Sequence, residues 1–374
     1  MATLIVVEDL AALSVRGRGG HALYVLQTIL GLARLGHRVV FVECLDEHDD
    51  GAVGAFTALM ARWWDLDESA LLASDGRILA GMPDDAFDDA VAAADAVITL
   101  AAHYRRAPWP RLEGVRPRIL IEQDPGYTHL WAVDADPRDV FGEHDVYFTV
   151  GASVGTPSCR LPTFGIEWHA YVNPVVLGLW PQSDVRSGSS FGTVAGLRDY
   201  GWLEFEGATL GPKIEELRAF SALPSLVGER IELVSDLEPD DPDRRALEAD
   251  GWSFRSPDDV AEPETFRAFV LASAGEFSVA KGGYVGTRCG WFSDRSACYL
   301  AAGRPVVLQA TGFEDHLPVG CGLFAVRDVD EAAAAVRAIR AEPARHSAAA
   351  RRIAREFFDS DRVLSRMLTT AGVG

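Results

Sequence analysis

The chain has 374 residues, of which 48% are hydrophobic, and a formal net charge of −20. This length suits two domains, each with a substantial core. The negative charge argues against a nucleic-acid groove and against contact with an anionic membrane, because both ligands require a basic face. A site for an anionic ligand must therefore be a local cluster of cations.

The first residues form a short apolar run that ends at Glu8, which predicts a strand rather than a secretory leader. No apolar stretch reaches about 18 residues, the length of a membrane-spanning helix. The five cysteines include no CxxC pair and the nine histidines no HExxH spacing, which predicts reduced thiols and no dedicated metal site. We therefore expect a cytoplasmic protein without a resident cofactor.

Short apolar runs alternate with helical patterns in the first half, which predicts a parallel sheet wrapped by helices. The predicted strands are 4–7, 38–42, 96–100, 118–121 and 145–150, and the predicted helices are 22–35, 52–64 and 84–94. The pattern changes between about 165 and 190, where a polar run over 183–190 predicts a connection between two domains.

A second α/β series follows this connection. Its predicted strands are 192–197, 230–234, 276–279, 305–309 and 323–326, and its predicted helices are 212–220, 242–249, 264–272 and 293–302. A further helix opens with Asp328 and Glu331 in capping-box spacing. Two more helices, about 343–358 and 361–370, close the chain.

The loop after the first strand carries Gly19 and Gly20 before His21 and opens a helix. Glycine lets the backbone approach a ligand, and helix-start N–H groups attract negative charge. The spacing is not GxGxxG, so the loop fits a flexible turn as well as a ligand loop. A helix start keeps His21 neutral, which suits either a general base for an acceptor hydroxyl or a capping side chain.

Asp124 and His129 follow another predicted strand, and the carboxyl ends of strands line the ligand crevice of open α/β sheets. Asp124 is a candidate to orient a catalytic histidine, and His129 is a rival base. The alternative is a structural turn, because Asp-Pro-Gly is turn chemistry in which Asp124 bonds its own backbone.

The segment 275–295 is the strongest candidate for a ligand site, because it combines a strand, glycines, cations and a helix start. A diphosphate fits such a cluster, and the alternative is a glycine-rich surface loop. The candidate donor residues are Glu276, Lys281, Gly282, Gly283, Arg288, Ser293, Asp294 and Arg295. Arg198 and Lys213 are two further candidates, although either alone is more typical of a surface charge.

The segment 292–307, with its Ala302-Gly303-Arg304-Pro305 exit into a strand, resembles the donor domain of GT-B glycosyltransferases. Thr311-Gly312-Phe313 follows where these enzymes carry a ligand-lining loop, and 19–21 followed by 35–39 is similar to their first loop and helix. Within this group the chain is most similar to sequences related to spore-maturation proteins. One departure is Cys298, which stands where many retaining members hold the donor ribose with a glutamate; Asp294 and Glu276 are the candidates to replace it.

The resemblance implies two Rossmann-like domains that face each other across a cleft. The acceptor domain would comprise 1–170 and a crossing helix at about 358–374, and the donor domain 171–357. The nucleotide diphosphate would lie at 281–288 and 293–295, whereas Gly19, Gly20 and His129 would face the acceptor. His21, with Asp124 as its partner, would be the base of an inverting reaction, or a binding residue of a retaining one.

The expected co-substrate is a UDP-type sugar, and the expected acceptor is a small molecule rather than nucleic acid. Metal should be dispensable, since cations and a helix dipole can stabilise the departing diphosphate. A homodimer and a monomer both remain open. The alternatives are a sugar-nucleotide 2-epimerase, a non-catalytic nucleotide-sugar sensor and a phosphorylase-like enzyme, for whose pyridoxal phosphate the sequence shows no motif.

Overall fold

A computed structural model describes residues 1–12, 16–101, 109–182 and 189–374. Most of the polar run predicted to connect the domains lies outside these residues. The described chain contains two parallel sheets, a two-stranded hairpin and helices that cover both faces of each sheet. Among the described residues, no helix has the length and apolar character needed to cross a bilayer.

The first sheet has eight strands in the order β4-β3-β2-β1-β5-β6-β7-β8, and only the β3–β4 pair is antiparallel. Its strands are β1 (Thr3–Val7), β2 (Arg38–Leu45), β3 (Ser69–Ala73), β4 (Ile78–Gly81), β5 (Ala96–Thr99), β6 (Arg118–Glu122), β7 (Val146–Thr149) and β8 (Trp168–Ala170). The helices of this half are α1 (Gly19–Arg34), α2 (Asp50–Trp63), α3 (Asp84–Ala92), α4 (Trp109–Leu112), α5 (Pro125–Trp131) and α6 (Pro137–Phe141).

The second half contains the hairpin β10 (Leu203–Phe205) and β11 (Ala208–Leu210) and a six-stranded sheet in the order β13-β12-β9-β14-β15-β16. The sheet strands are β9 (Phe191–Val194), β12 (Ile231–Val234), β13 (Trp252–Arg255), β14 (Gly275–Ser278), β15 (Val306–Gln309) and β16 (Leu323–Val326). The helices are α7 (Lys213–Arg218), α8 (Leu223–Val227), α9 (Pro242–Ala249), α10 (Pro263–Ala272), α11 (Gly282–Thr287), α12 (Asp294–Ala301), α13 (Val329–Ala341), α14 (Pro343–Ile353) and α15 (Ser360–Thr370).

Most predicted elements are present within one to three residues of their predicted ends, and the prediction of parallel sheets wrapped by helices is confirmed. The sequence missed β3, β4, β8, β13 and the hairpin. Short strands carry little periodic signal, and β4, β8 and β13 are also edge strands. One prediction was wrong, because the glycine-rich loop after β14 contains helix α11. Of the two interpretations of Asp124-Pro125-Gly126, the isolated turn does not hold, since this segment opens helix α5.

Helix α1 is buried nearly all round because both halves of the chain cover it. Its Leu26 belongs to the core under the first sheet, whereas Leu23 packs with residues of α10 and α12. On the same helix, Gln27 accepts hydrogen bonds from Trp180 Nε1 at 2.7 Å and from the Val176 N–H at 3.2 Å. The closing helix α15 also packs on α1, where Gly31 leaves space for Leu364. The last helix of the chain therefore joins the core of the first sheet.

The two halves also meet at backbone distance beside the cleft. A Cβ atom on Gly126 of α5 would lie 2.7 Å from the Gly283 backbone of α11. Nearby, the Ser153 N–H donates to the Cys289 carbonyl oxygen at 2.9 Å. This contact brings the segment after β6 against the segment after β14, so the carboxyl ends of the two sheets face each other. In open α/β sheets these ends are where ligands bind.

Candidate active site

A cluster of cations lies at the carboxyl end of β14. Lys213 begins α7, Lys281 follows β14, and Arg295 lies in the first turn of α12. Lys213 is only 6% exposed, and its ammonium has neither an ion pair nor a hydrogen-bond acceptor among the described residues. Burial is the main cause that lowers the pKa of Lys213 to about 7, and Arg295 and Lys281 lower it further. An unpartnered buried amine is costly, which indicates a site for an anion.

Arg295 is already oriented by the strands beside it. Its guanidinium bonds the Glu276 carboxylate, donates to the Val194 carbonyl oxygen at 2.7 Å and donates to Ser278 Oγ at 2.9 Å. Glu276 is fully buried, and its Oε2 atom accepts no hydrogen bond in the described structure. Although burial opposes the charge of Arg295, Glu276 raises the pKa of the guanidinium. Arg295 is therefore held in place and stays charged, whereas the charge of Lys213 can change near pH 7.

Asp124 joins the two halves of the chain across the cleft. Its carboxylate accepts hydrogen bonds from the hydroxyls of Tyr284 and Tyr200, the latter at 3.0 Å, and lies 3.6 Å from Lys281 Nζ. The Lys281 ammonium also lies 3.3 Å from the centroid of the Tyr200 ring, a cation–π geometry. Glu122 accepts the Asp124 N–H and thereby fixes the start of α5. Asp124 is thus a residue of the domain contact.

His21 lies in the first turn of α1 with its proton position set by the backbone. Its Nε2 atom is 2.8 Å from the Asp9 carbonyl oxygen, and because a carbonyl only accepts, Nε2 must carry the proton. Burial lowers the pKa of His21, so the ring is neutral at pH 7 and Nδ1 is an unprotonated acceptor. Nδ1 has no hydrogen-bond partner among the described residues. The nearest ion-pair carboxylate is Glu8, whose Oε1 lies 3.8 Å from Nε2.

Asp294, in the first turn of α12, acts on His21 from the other half of the chain: its charge raises the pKa of the His21 ring. Ser293 caps α12 by position, as predicted, without a side-chain cap bond. Cys298, one turn further on, faces α1 and accepts a long hydrogen bond from Gln27 Nε2 at 3.6 Å. Cys298 therefore packs between the two halves.

Two predicted cations point elsewhere. Arg198 forms ion pairs with Asp241 and Asp243, at the start of α9. Arg288 ends α11 with a left-handed backbone, and its half-exposed side chain lies 3.4 Å from Glu314 and from Asp315. Both side chains are neutralised by carboxylates, so a phosphate would have to displace these partners.

The predicted glycines lie at close contacts. A Cβ atom on Gly282 would lie 2.7 Å from the Gly211 backbone, and one on Gly283 would lie 2.7 Å from the Tyr127 ring. A Cβ atom on Gly19 would lie 2.4 Å from the Glu262 carbonyl oxygen, and Gly20 packs on the ring of Phe266 in α10. Their small size lets the two halves approach.

His129 is buried in an aromatic cluster with Phe141 and Trp168. Its Nδ1 atom donates to the Pro162 carbonyl oxygen at 2.8 Å, and burial lowers the pKa of the ring to about 4. This environment makes His129 a neutral core residue, so of the two histidines predicted as candidate bases only His21 keeps that candidacy.

Sequence reasoning missed Glu8, Glu43, Tyr200 and Tyr284. Glu8 directly follows β1, so the rule that selected Asp124 after β6 would also have selected Glu8. The tyrosines carry no such signal, because only the folded chain brings them to Asp124. Within the described residues, no group of three or more His, Cys, Asp or Glu side chains is arranged to hold a metal ion.

Comparison with known proteins identifies the fold. Neither a protein-family model nor a curated protein sequence matches the chain. Among solved structures, HepE from Anabaena, in complex with UDP and glucose, has a TM-score of 0.60 at 13% identity and covers 100% of both chains. An alpha-glucosyltransferase in complex with UDP has a TM-score of 0.63 at 10% identity, also with 100% of both chains covered.

A glycosyltransferase from Rickettsia africae is similar as well, with a TM-score of 0.52, 10% identity and coverage of 99% of this chain and 97% of that one. Likeness at these identities defines architecture. The chain has the GT-B fold of two Rossmann-like domains, as the sequence predicts.

The buried ammonium gives a stability prediction. Because the ordinary lysine pKa is 10.5 and that of Lys213 is about 7, the unfolded state binds one more proton between these values, and stability should rise with pH over this window. Lys213→Met should remove this pH dependence and raise the free energy of unfolding at pH 7 by about 1–4 kcal/mol. Urea denaturation between pH 6.5 and 9 measures both effects. A destabilised variant would show that Lys213 has a partner in the free protein.

Proposed function

We propose that this protein is a glycosyltransferase that moves a sugar from a UDP-type nucleoside-diphosphate sugar to an acceptor hydroxyl. The observation that carries the proposal is Lys213, an unpaired buried ammonium beside Arg295 and the amino end of α12. A chain with a net charge of −20 keeps this cation cluster at the ligand edge of a sheet. Two structural neighbours contain UDP, which supports the nucleotide.

In this proposal, the diphosphate lies between Lys213 and Arg295 on the domain formed by 171–357. The two cations and the helix start stabilise the negative charge that develops on the leaving oxygen. The free Oε2 atom of Glu276 is the buried acceptor nearest this cluster and is suited to a hydroxyl of the donor. The cations perform the role that a divalent metal has in other transferases, so we propose that the reaction is metal-independent.

The acceptor binds to the other domain, formed by 1–170 and about 358–374. His21 Nδ1 takes the proton of the acceptor hydroxyl while the oxygen of that hydroxyl forms a bond to the anomeric carbon of the donor sugar. The carbon–oxygen bond to the diphosphate breaks, and the nucleoside diphosphate leaves with the electron pair. The charge of Asp294, which raises the pKa of His21, favours the imidazolium that forms. This displacement inverts the anomeric configuration.

We propose a small-molecule acceptor rather than nucleic acid. Some alpha-glucosyltransferase neighbours were determined with DNA, but this chain has a formal net charge of −20. A strongly negative protein repels a phosphate backbone. An uncharged or cationic polyhydroxyl compound fits this charge better.

Donor turnover tests the proposed function. The protein in EDTA should release UDP slowly from UDP-glucose with water as the acceptor, and Lys213→Met should abolish UDP binding because the diphosphate loses its adjustable cation. Isothermal titration and UDP release measure the two steps. Arg198→Met is the matched control. Arg198 is held by Asp241 and Asp243, so this variant should bind UDP normally.

Three results would count against this function. Equal loss of UDP affinity in Lys213→Met and Arg198→Met would show that Lys213 does not bind the diphosphate specifically. Activity that disappears in EDTA and returns with magnesium would overturn metal independence. Binding without any turnover, or epimerisation of the donor sugar without transfer, would favour a sensor or an epimerase.

The role of His21 gives a separate prediction. His21→Ala should lower kcat by about 10²–10⁴-fold, the range for loss of a general base, while the Kd for UDP stays within about twofold because the donor lies on the other domain. Steady-state kinetics and titration measure these values. NMR of the product should show an inverted anomeric configuration. Retention, or a near-normal kcat in the variant, would make His21 a binding residue only.

A further inference from the structure

Glu43 is a carboxylate in a place where sequence patterns put apolar residues. It lies in β2 directly after Val42, which pairs with Val7 of β1, and its side chain is fully buried. Burial, with the charge of Asp9, raises the pKa of Glu43 to about 8, although backbone hydrogen bonds oppose this rise. A buried carboxyl group is costly unless it is hydrogen-bonded, so its partners should reveal its purpose.

The partners of Glu43 are all in the loop that follows β1. Its carboxylate accepts the Ala11 N–H at 2.9 Å and 3.0 Å on its two oxygens and the Ala12 N–H at 2.7 Å. Without Glu43 these buried donors would lose their acceptors. The conformation of 8–12 therefore depends on one side chain from the neighbouring strand.

The same loop holds the proton of His21. The Asp9 carbonyl oxygen accepts from His21 Nε2 at 2.8 Å, and this bond leaves Nδ1 unprotonated and turned away from the loop. If the Asp9 carbonyl moves, the proton can shift to Nδ1, and the ring then presents a donor where a base is needed. Glu43 and His21 thus bond the backbone of the same short loop, at 11–12 and at Asp9, without direct contact.

We propose that Glu43 is a positioning residue that fixes the tautomer and orientation of His21 through the loop at 8–12. The proposal rests on the proposed role of His21 as the base. It differs from a general packing role, because it acts on one ring and on one step of the reaction. Glu122 occupies a similar position at the end of β6, where it accepts from Thr128, Thr149 and the Asp124 N–H, so the two buried carboxyls organise different loops.

The test combines kinetics with a direct view of the ring. Glu43→Ala should lower kcat for UDP release by about 10- to 100-fold, as expected for a misplaced catalytic group, and change the Kd for UDP by less than about twofold. Combined with His21→Ala, it should lower kcat no further, because the two residues act as one unit. Glu43→Gln keeps one acceptor oxygen and should recover part of the rate.

The tautomer readout separates this proposal from the proposed function. In the natural protein, ¹⁵N NMR of the His21 ring should show the proton on Nε2, and in Glu43→Gln a mixture of the two tautomers. This measurement needs neither donor nor turnover, and the glutamine variant supplies it even if Glu43→Ala does not fold. Met82→Ala, a buried change under the outer strands of the same sheet, is the control and should leave the tautomer and kcat unchanged.

Additive losses of kcat in the double variant would overturn the proposal. An unchanged tautomer in Glu43→Gln would do the same. If His21→Ala keeps a normal kcat while Glu43→Gln still shifts the tautomer, the positioning contact stands and the proposed base fails.

Discussion

A buried lysine, Lys213, that has no ion pair among the described residues is the constraint around which the second domain is arranged. The buried Glu276 carboxylate is already held by Arg295. Lys213 forms no ion pair with any residue that the structure describes, although a shift of its pKa to about 7 relieves part of the cost. A fold that maintains such a group sacrifices stability for ligand binding. In the proposed function, the nucleotide diphosphate supplies the missing negative charge.

The contact between the domains follows from the same charges. Lys281 directly follows β14, beside the other cations. Its ammonium nevertheless contacts Asp124 of the opposite domain and the Tyr200 ring. One lysine therefore links the donor side to the first domain, and glycines at Gly126 and Gly283 let the backbones approach. Because Lys281 and Lys213 influence each other electrostatically, an anion at Lys213 also acts on the contact between domains.

The alternation of apolar runs and helical patterns was enough to predict the architecture, because parallel strands buried on both faces leave a strong signal. The strand ends also made His21 and Asp124 candidates from sequence alone, and Lys213 was a candidate because it opens a helix. Which cation is free was not predictable: Arg198 and Lys213 look equivalent in the sequence, and only the fold gives Arg198 two aspartates and gives Lys213 none. The partner of Asp124 likewise depends on how two distant segments meet.

The central claim is that Lys213 receives the diphosphate, and proton uptake tests it most directly. At pH 8 an amine with a pKa of about 7 is mostly neutral, and a bound diphosphate should return it to the charged form. Isothermal titration of UDP-glucose in two buffers of different ionisation enthalpy should show uptake of about one proton per nucleotide. UDP-glucose carries no group that titrates at this pH, so the proton must go to the protein, and Lys213→Met should take up none. Tight binding without proton uptake, or the same uptake in the variant, would contradict the account.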